Sequence, residues 1–93
     1  MSNKENFEKI QKMILDGEDV EKINDEFDAA RSAMDSMDDE ICKNDKIPYP
    51  FIIAWDTAYE ELSTTVNCRP ETQLEGLKWC LDVLEYLEWK HYI

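Results

Sequence analysis

Between Val20 and Ile41 seven apolar or small residues recur in alternating steps of three and four: Val20, Ile23, Phe27, Ala30, Met34, Met37 and Ile41. An α-helix turns once in about 3.6 residues, so this spacing gathers them into one stripe along a long helix. Nearly every residue off the stripe is polar or small. Such a stripe serves either as the core-facing side of a bundle or as the seam of a coiled-coil homodimer. Ala30 and the flexible Met34 and Met37 would make a weak zipper, which favours the bundle.

The remaining chain divides at its few helix breakers, two Gly and three Pro. Ser2-x-x-Glu5 is a capping-box pattern. Phe7, Ile10, Met13 and Ile14 then share one face, and Gly17 supplies a left-handed stop, so a short N-terminal helix is expected. Lys46-Ile47-Pro48-Tyr49-Pro50 reads as a non-helical connector, because each proline disfavours the α conformation of the residue before it. Ile52, Trp55, Tyr59, Leu62 and Val66 place a third helix over about Phe51 to Thr65. The last helix opens near Pro70 and Glu71, with Thr72-x-x-Glu75 as a competing capping box. Its Leu74, Leu77, Leu81 and Leu84 stripe is widened by Trp79, Cys80, Val83, Tyr86 and Leu87, the arc expected of the most buried, central helix. Trp55 and Trp79 are expected in the core, and Tyr86, Trp89 and Tyr92 read as core before interface. Short connections then give an all-α, up-and-down helical bundle over residues 1–93: three longer helices plus a short N-terminal one, in one domain.

Enough apolar material is present for a compact core: 43% of residues are hydrophobic, with three Trp, four Tyr and three Phe. Met1 is followed by polar residues, and no apolar run reaches the length of a signal peptide or membrane span, so a cytoplasmic protein is expected. Cys42, Cys68 and Cys80 are odd in number and lack C-x-x-C spacing, which indicates reduced thiols and neither a disulfide framework nor a zinc site.

Constellations that carry chemistry are sparse. His91 is the single histidine, three residues from the end and beside Trp89 and Tyr92, so no histidine-dependent triad is expected. Gly17 and Gly76 are isolated and build no phosphate-binding loop, and Asp16-Gly17-Glu18-Asp19 does not follow the EF-hand register. Glu18-x-x-Glu21 followed by Asp35-x-x-Asp38 is faintly similar to the E-x-x-E and E-x-x-D pairs of all-helical magnesium-dependent nucleotide pyrophosphohydrolases. It departs from them in carrying Asp for Glu in the second pair and in placing both pairs on one continuous helix, too far apart to share a metal. The expectation is a non-enzymatic protein with no cofactor and no metal.

Charge is the feature left over. The chain carries a net −12, and the long helix, expected to span roughly Asp16 to Asp45, alone holds 12 acidic residues against Lys22, Arg31 and Lys43, a net −9. Direct binding to nucleic acid or to an anionic membrane would work against that repulsion. Acidic side chains at the start of the long helix suit its dipole, but Asp38-Asp39-Glu40 crowd its C-terminal part, where each is unfavourable by about 0.3 to 1 kcal/mol. Helix stability alone does not explain that triplet; a break near Ser36, with serine capping a new helix, is the alternative. Glu21, Asp28 and Asp35 recur every seven residues, with Asp25 and Asp39 beside them, so the acids spread into an extended surface. Over 30 residues that density is about one net charge per 5 Å, against roughly one per 3.4 Å along a DNA strand.

The expected function is therefore an inhibitor of a basic, nucleic-acid-processing protein such as a nuclease, a restriction enzyme or a CRISPR effector, acting by nucleic-acid mimicry. Glu21, Asp25, Asp28, Asp35, Asp38, Asp39 and Glu40 are the expected partner-binding residues. Small acidic phage antagonists of such enzymes are similar in size and charge alone, and a bacterial or phage origin fits that likeness. The alternative is an immunity protein or antitoxin against a basic toxin, with charge speeding capture and aromatic anchors holding the complex. A third reading is a scaffold that self-associates through the Val20 to Ile41 seam.

Overall fold

A computed structural model describes residues 4–93, which form four α-helices: α1 (Glu5–Leu15), α2 (Val20–Cys42), α3 (Tyr49–Thr64) and α4 (Pro70–Trp89). This is the expected all-α arrangement of three longer helices and a short first one. The Ser2 of the N-terminal capping box lies outside the described residues. α1 ends where Gly17 takes φ +73°, with Gly17 N–H donating to Ile14 O and Glu18 N–H to Met13 O. This paired closure satisfies two carbonyls of the last turn and needs a residue at ease in the left-handed region.

The stripe of α2 faces inward. Ile23, Phe27, Ala30, Met34, Met37 and Ile41 are all buried, and only Val20, at the first turn, is half exposed. In this fold the bundle itself covers the seam, so its side chains are not presented on the surface. The helix runs unbroken through Ser36, so the alternative of a second helix start there is not realised. Nor does the helix extend from Asp16 to Asp45: Asp16, Glu18 and Asp19 lie before it, Asp45 after it.

α3 begins two residues earlier than expected. Tyr49 and Pro50 are helical, with Pro48 as N-cap and Pro50 in the first turn. A first-turn residue has no carbonyl to bond, so proline loses nothing there, and the fixed φ of Pro50 pre-sets the turn. The helix closes where Ser63 Oγ, Thr64 Oγ1 and Thr65 Oγ1 donate back to Tyr59 O, Glu61 O and Leu62 O. α4 starts at Pro70, leaving Thr72 inside the first turn and not at a cap.

Contacts place the helices in a ring in which α1 and α3 each lie between α2 and α4. Asp38 meets Trp55 and Asp35 meets Tyr59. Phe51 meets Tyr86, while Leu62 meets Gly76. Lys4 at the start of α1 pairs with Glu85 and Glu88 near the end of α4. Neighbours therefore run antiparallel, as short connections require. The expectation of α4 as a central helix is corrected: it forms one side of the ring. Its wide arc reaches both α1 and α3, and Trp79, at the arc's edge, is 42% exposed and not a core residue. Trp55 is fully buried, edge-on to Phe7 at 5.8 Å and stacked on Tyr59 at 5.5 Å. At Gly76 a Cβ would sit 3.1 Å from Leu62 Cα, so the glycine is what lets α3 and α4 approach this closely.

Among the described residues no helix is long and apolar enough to cross a membrane.

Candidate functional site: the acidic face of α2

Within α2 eight acidic residues face two basic ones, a net −6 over a helix about 34 Å long. The density is then roughly one net charge per 6 Å, below the sequence-based figure because the helix is shorter than expected. At 100° per residue, Glu21, Asp25, Asp28, Asp35 and Asp39 form one stripe opposite the buried seam. All five are exposed. Glu26 and Asp38 lie on the two flanks, toward α1 and α3 respectively.

Position on the helix decides how each carboxylate is used. On the α1 flank, Glu26 pairs with Lys9 at 2.8 Å. On the α3 flank, Asp38 Oδ1 accepts the indole N–H of Trp55 at 2.9 Å and lies 3.7 Å from the Cys42 thiol. Asp35 Oδ1 accepts the Tyr59 hydroxyl. Asp39 pairs with Lys43 one turn on, at 3.0 Å. Two members of the Asp38-Asp39-Glu40 triplet thus have structural partners, correcting the view that stability offers them no explanation: Asp38 satisfies the one polar atom of a buried tryptophan. Glu40 alone has none. Among the described residues, Glu21, Asp25, Asp28 and Glu40 are the expected contact residues that stay exposed without a hydrogen bond or ion pair. The available acidic surface is therefore concentrated in the N-terminal half of α2, where Glu18 and Asp19 continue it into the preceding turn.

Burial and neighbouring charge shift the groups on the α3 flank. Desolvation raises the Asp38 pKa above the usual carboxylate value, against the opposing hydrogen bond from Trp55. Desolvation, reinforced by Asp38 and Asp56, pushes the Cys42 thiol up to about 11, and burial pushes Cys80 up to about 12. Both thiols are held protonated at neutral pH, the opposite of what a nucleophile needs. Tyr59 is likewise pushed up, by desolvation and by its hydrogen bond to Asp35.

The fold also brings together groups that no spacing announces. One oxygen each of Asp38 and Asp56 and the Cys42 sulfur lie within 4.8 Å of one another. As a metal set this is poor: Asp38 is committed to Trp55, and the thiol would have to lose a strongly held proton. Between α2 and α3 a half-open cleft of about 180 Å³ has Phe27, Met34, Leu62 and Val66 as its apolar walls. Arg31, Asp35, Tyr59 and Ser63 line it with polar atoms.

A second surface lies across the ring. Trp89 is 71% exposed, with Lys90 Nζ 5.2 Å from its ring centroid, and Trp79, Val83 and Tyr86 line a shallow groove with Phe51. Tyr86 and Tyr92 are half-buried against Phe51, so the expectation of a core role holds in part for them and fails for Trp89. Sequence periodicity missed this because α4 faces two neighbours and its apolar arc overshoots both. Comparison with known protein families, with curated proteins and with solved structures finds no match to this chain.

Proposed function

We propose that this chain is a non-enzymatic acidic binding protein that inhibits a basic, nucleic-acid-processing protein, with the outer stripe of α2 taking the place of a phosphate backbone. The observation that carries the reading is the row Glu21, Asp25 and Asp28, exposed and unpaired, directly opposite the core. Carboxylates left without internal partners on a rigid helix keep their full field for an incoming cationic surface, and such fields speed encounter and set register. The lower charge density of α2 makes it an imitation of single-stranded more than duplex nucleic acid. Asp35, Asp38 and Asp39 pass from contact residues to supporting ones, because each already serves an internal partner.

The test is affinity capture from a lysate of the source organism, with the wild-type chain and the Glu21→Lys, Asp25→Lys, Asp28→Lys variant as baits. The reading expects a basic nucleic-acid-binding protein that wild type retains, that competing DNA or RNA displaces, and that the variant loses. Equal retention by both baits, insensitive to salt, would refute it.

One observation favours the immunity-protein or antitoxin reading: the exposed Trp79 and Trp89 on α4, of the residue type that dominates binding hot spots. These side chains lie across the bundle from α2, so a single partner would have to wrap the domain to use both surfaces. Trp89→Ala separates the two readings, since it should weaken an aromatic-anchored complex and leave a charge-driven one intact.

A further inference from the structure

The cleft between α2 and α3 combines three features that the acidic-surface reading does not use. Its walls are apolar, its polar lining holds one cation and one anion, and those two charges do not neutralise each other. Arg31 and Asp35 are one helical turn apart, yet no ion pair forms between them. Asp35 is instead turned toward α3, where the Tyr59 hydroxyl holds its Oδ1 and leaves Oδ2 open. Ser63 donates to Tyr59 O at 2.9 Å, which leaves its own oxygen free to accept. The cleft holds about 180 Å³, and water lying against its apolar walls has fewer hydrogen-bond partners than water beside Arg31 and Asp35, so displacing the former favours a ligand that also meets the polar lining.

We propose that this cleft binds a free amino acid with an apolar side chain. The side chain lies against Met34, Leu62 and Val66, the carboxylate pairs with Arg31, and the ammonium is received by Asp35 and Ser63. The volume suits one small molecule, being well under the roughly 300 to 1,000 Å³ of pockets that hold drug-sized ligands. Charge selects the class further. In a chain of net −12 a simple anion is repelled, and a simple cation leaves Arg31 unpaired; a zwitterion carries no net charge and satisfies both ends. This inference is independent of the proposed inhibitory function, in which Arg31 has no part.

The experiment is a titration of the full chain with L-leucine and L-phenylalanine, followed by two-dimensional NMR. Isoamylamine, which lacks the carboxylate, and 4-methylpentanoate, which lacks the ammonium, serve as comparison probes. Saturable shifts confined to residues around Met34, Leu62 and Val66 are expected with at least one of the amino acids. Each comparison probe should bind at least about tenfold more weakly than leucine, the effect of losing one charge-assisted contact. Arg31→Gln, an exposed substitution whose fold is checked by its circular dichroism spectrum, should weaken the amino acid about tenfold and leave isoamylamine unchanged. Absence of saturable shifts with both amino acids, equal binding of 4-methylpentanoate, or an Arg31→Gln variant with wild-type affinity would each overturn the proposal.

Discussion

Asp38 separates structural from functional use of the acidic residues, and two substitutions there should behave differently. Trp55 is fully buried, and Asp38 Oδ1, at 2.9 Å, is the acceptor of its indole N–H. Asp38→Ala strands that donor in the core, at about 1 to 3 kcal/mol. Removal of a partly desolvated carboxylate offsets some of this, leaving a net loss of about 1 to 2 kcal/mol. For a domain of this size the midpoint of thermal unfolding should fall by roughly 5 to 15 °C. Asp38→Asn keeps a carbonyl oxygen for the indole and removes the charge, so at neutral pH it should match or exceed wild type.

The pH dependence follows from the raised pKa. Because the folded state holds the Asp38 proton more tightly than the unfolded one, the stability this group contributes is present below the unfolded pKa and is lost as pH rises through the folded one. The advantage of Asp38→Asn over wild type should therefore shrink as pH falls below the ordinary carboxylate range. Thermal melts of the three proteins at neutral and acidic pH, followed by circular dichroism, measure all of this. Coincident melting of Asp38→Ala and Asp38→Asn at neutral pH would show that the Trp55 hydrogen bond contributes nothing and would return Asp38 to the candidate contacts.

Gly76→Ala sets helix propensity against packing: alanine favours the helix by about 1 kcal/mol, but its Cβ would press on the Leu62 backbone at 3.1 Å, an overpacking worth about 1 to 3 kcal/mol. A lower urea midpoint is expected, and a higher one would mean that α3 and α4 can move apart freely. His91 occupies the left-handed region at φ 62°, where its N–H and that of Tyr92 close the end of α4, so His91→Gly should stabilise by about 0.5 to 1 kcal/mol in the same assay. Unchanged or reduced stability would show that this closure exerts no strain. The Glu21→Lys, Asp25→Lys, Asp28→Lys variant should keep the wild-type unfolding free energy to within about 1 kcal/mol, because none of the three side chains has an internal partner. A large loss of stability would assign these residues to the fold instead of to a partner.

Much of the architecture was legible in the order of residues. The seam of α2 is a local property, since a 3.6-residue period aligns those side chains whatever surrounds them, and six of its seven positions are buried. Gly17 could be assigned its role because a left-handed stop depends on one residue's own backbone freedom. The start of α3 was misplaced because proline was read only as a breaker, although its missing N–H is harmless in a first turn. Ile47, buried in the α2–α3 connection, gave no periodic signal because it belongs to no helix, and no spacing announced that the Tyr92 carbonyl accepts from Asn44 Nδ2 at 3.1 Å.

For the candidate site the division is sharper. Sequence alone determined that charge accumulates on α2 and that a row of carboxylates repeats along it, both consequences of composition and helical period. Which carboxylates remain free was decided by the tertiary structure. Asp35 and Asp38 face α3 and meet Tyr59 and Trp55, 24 and 17 residues away, while Glu26 faces α1 and meets Lys9. Glu21, Asp25 and Asp28 face no other helix. Partners so distant in the chain are set by how helices pack, so a helical repeat can show that acids share a surface but not which neighbour each one serves.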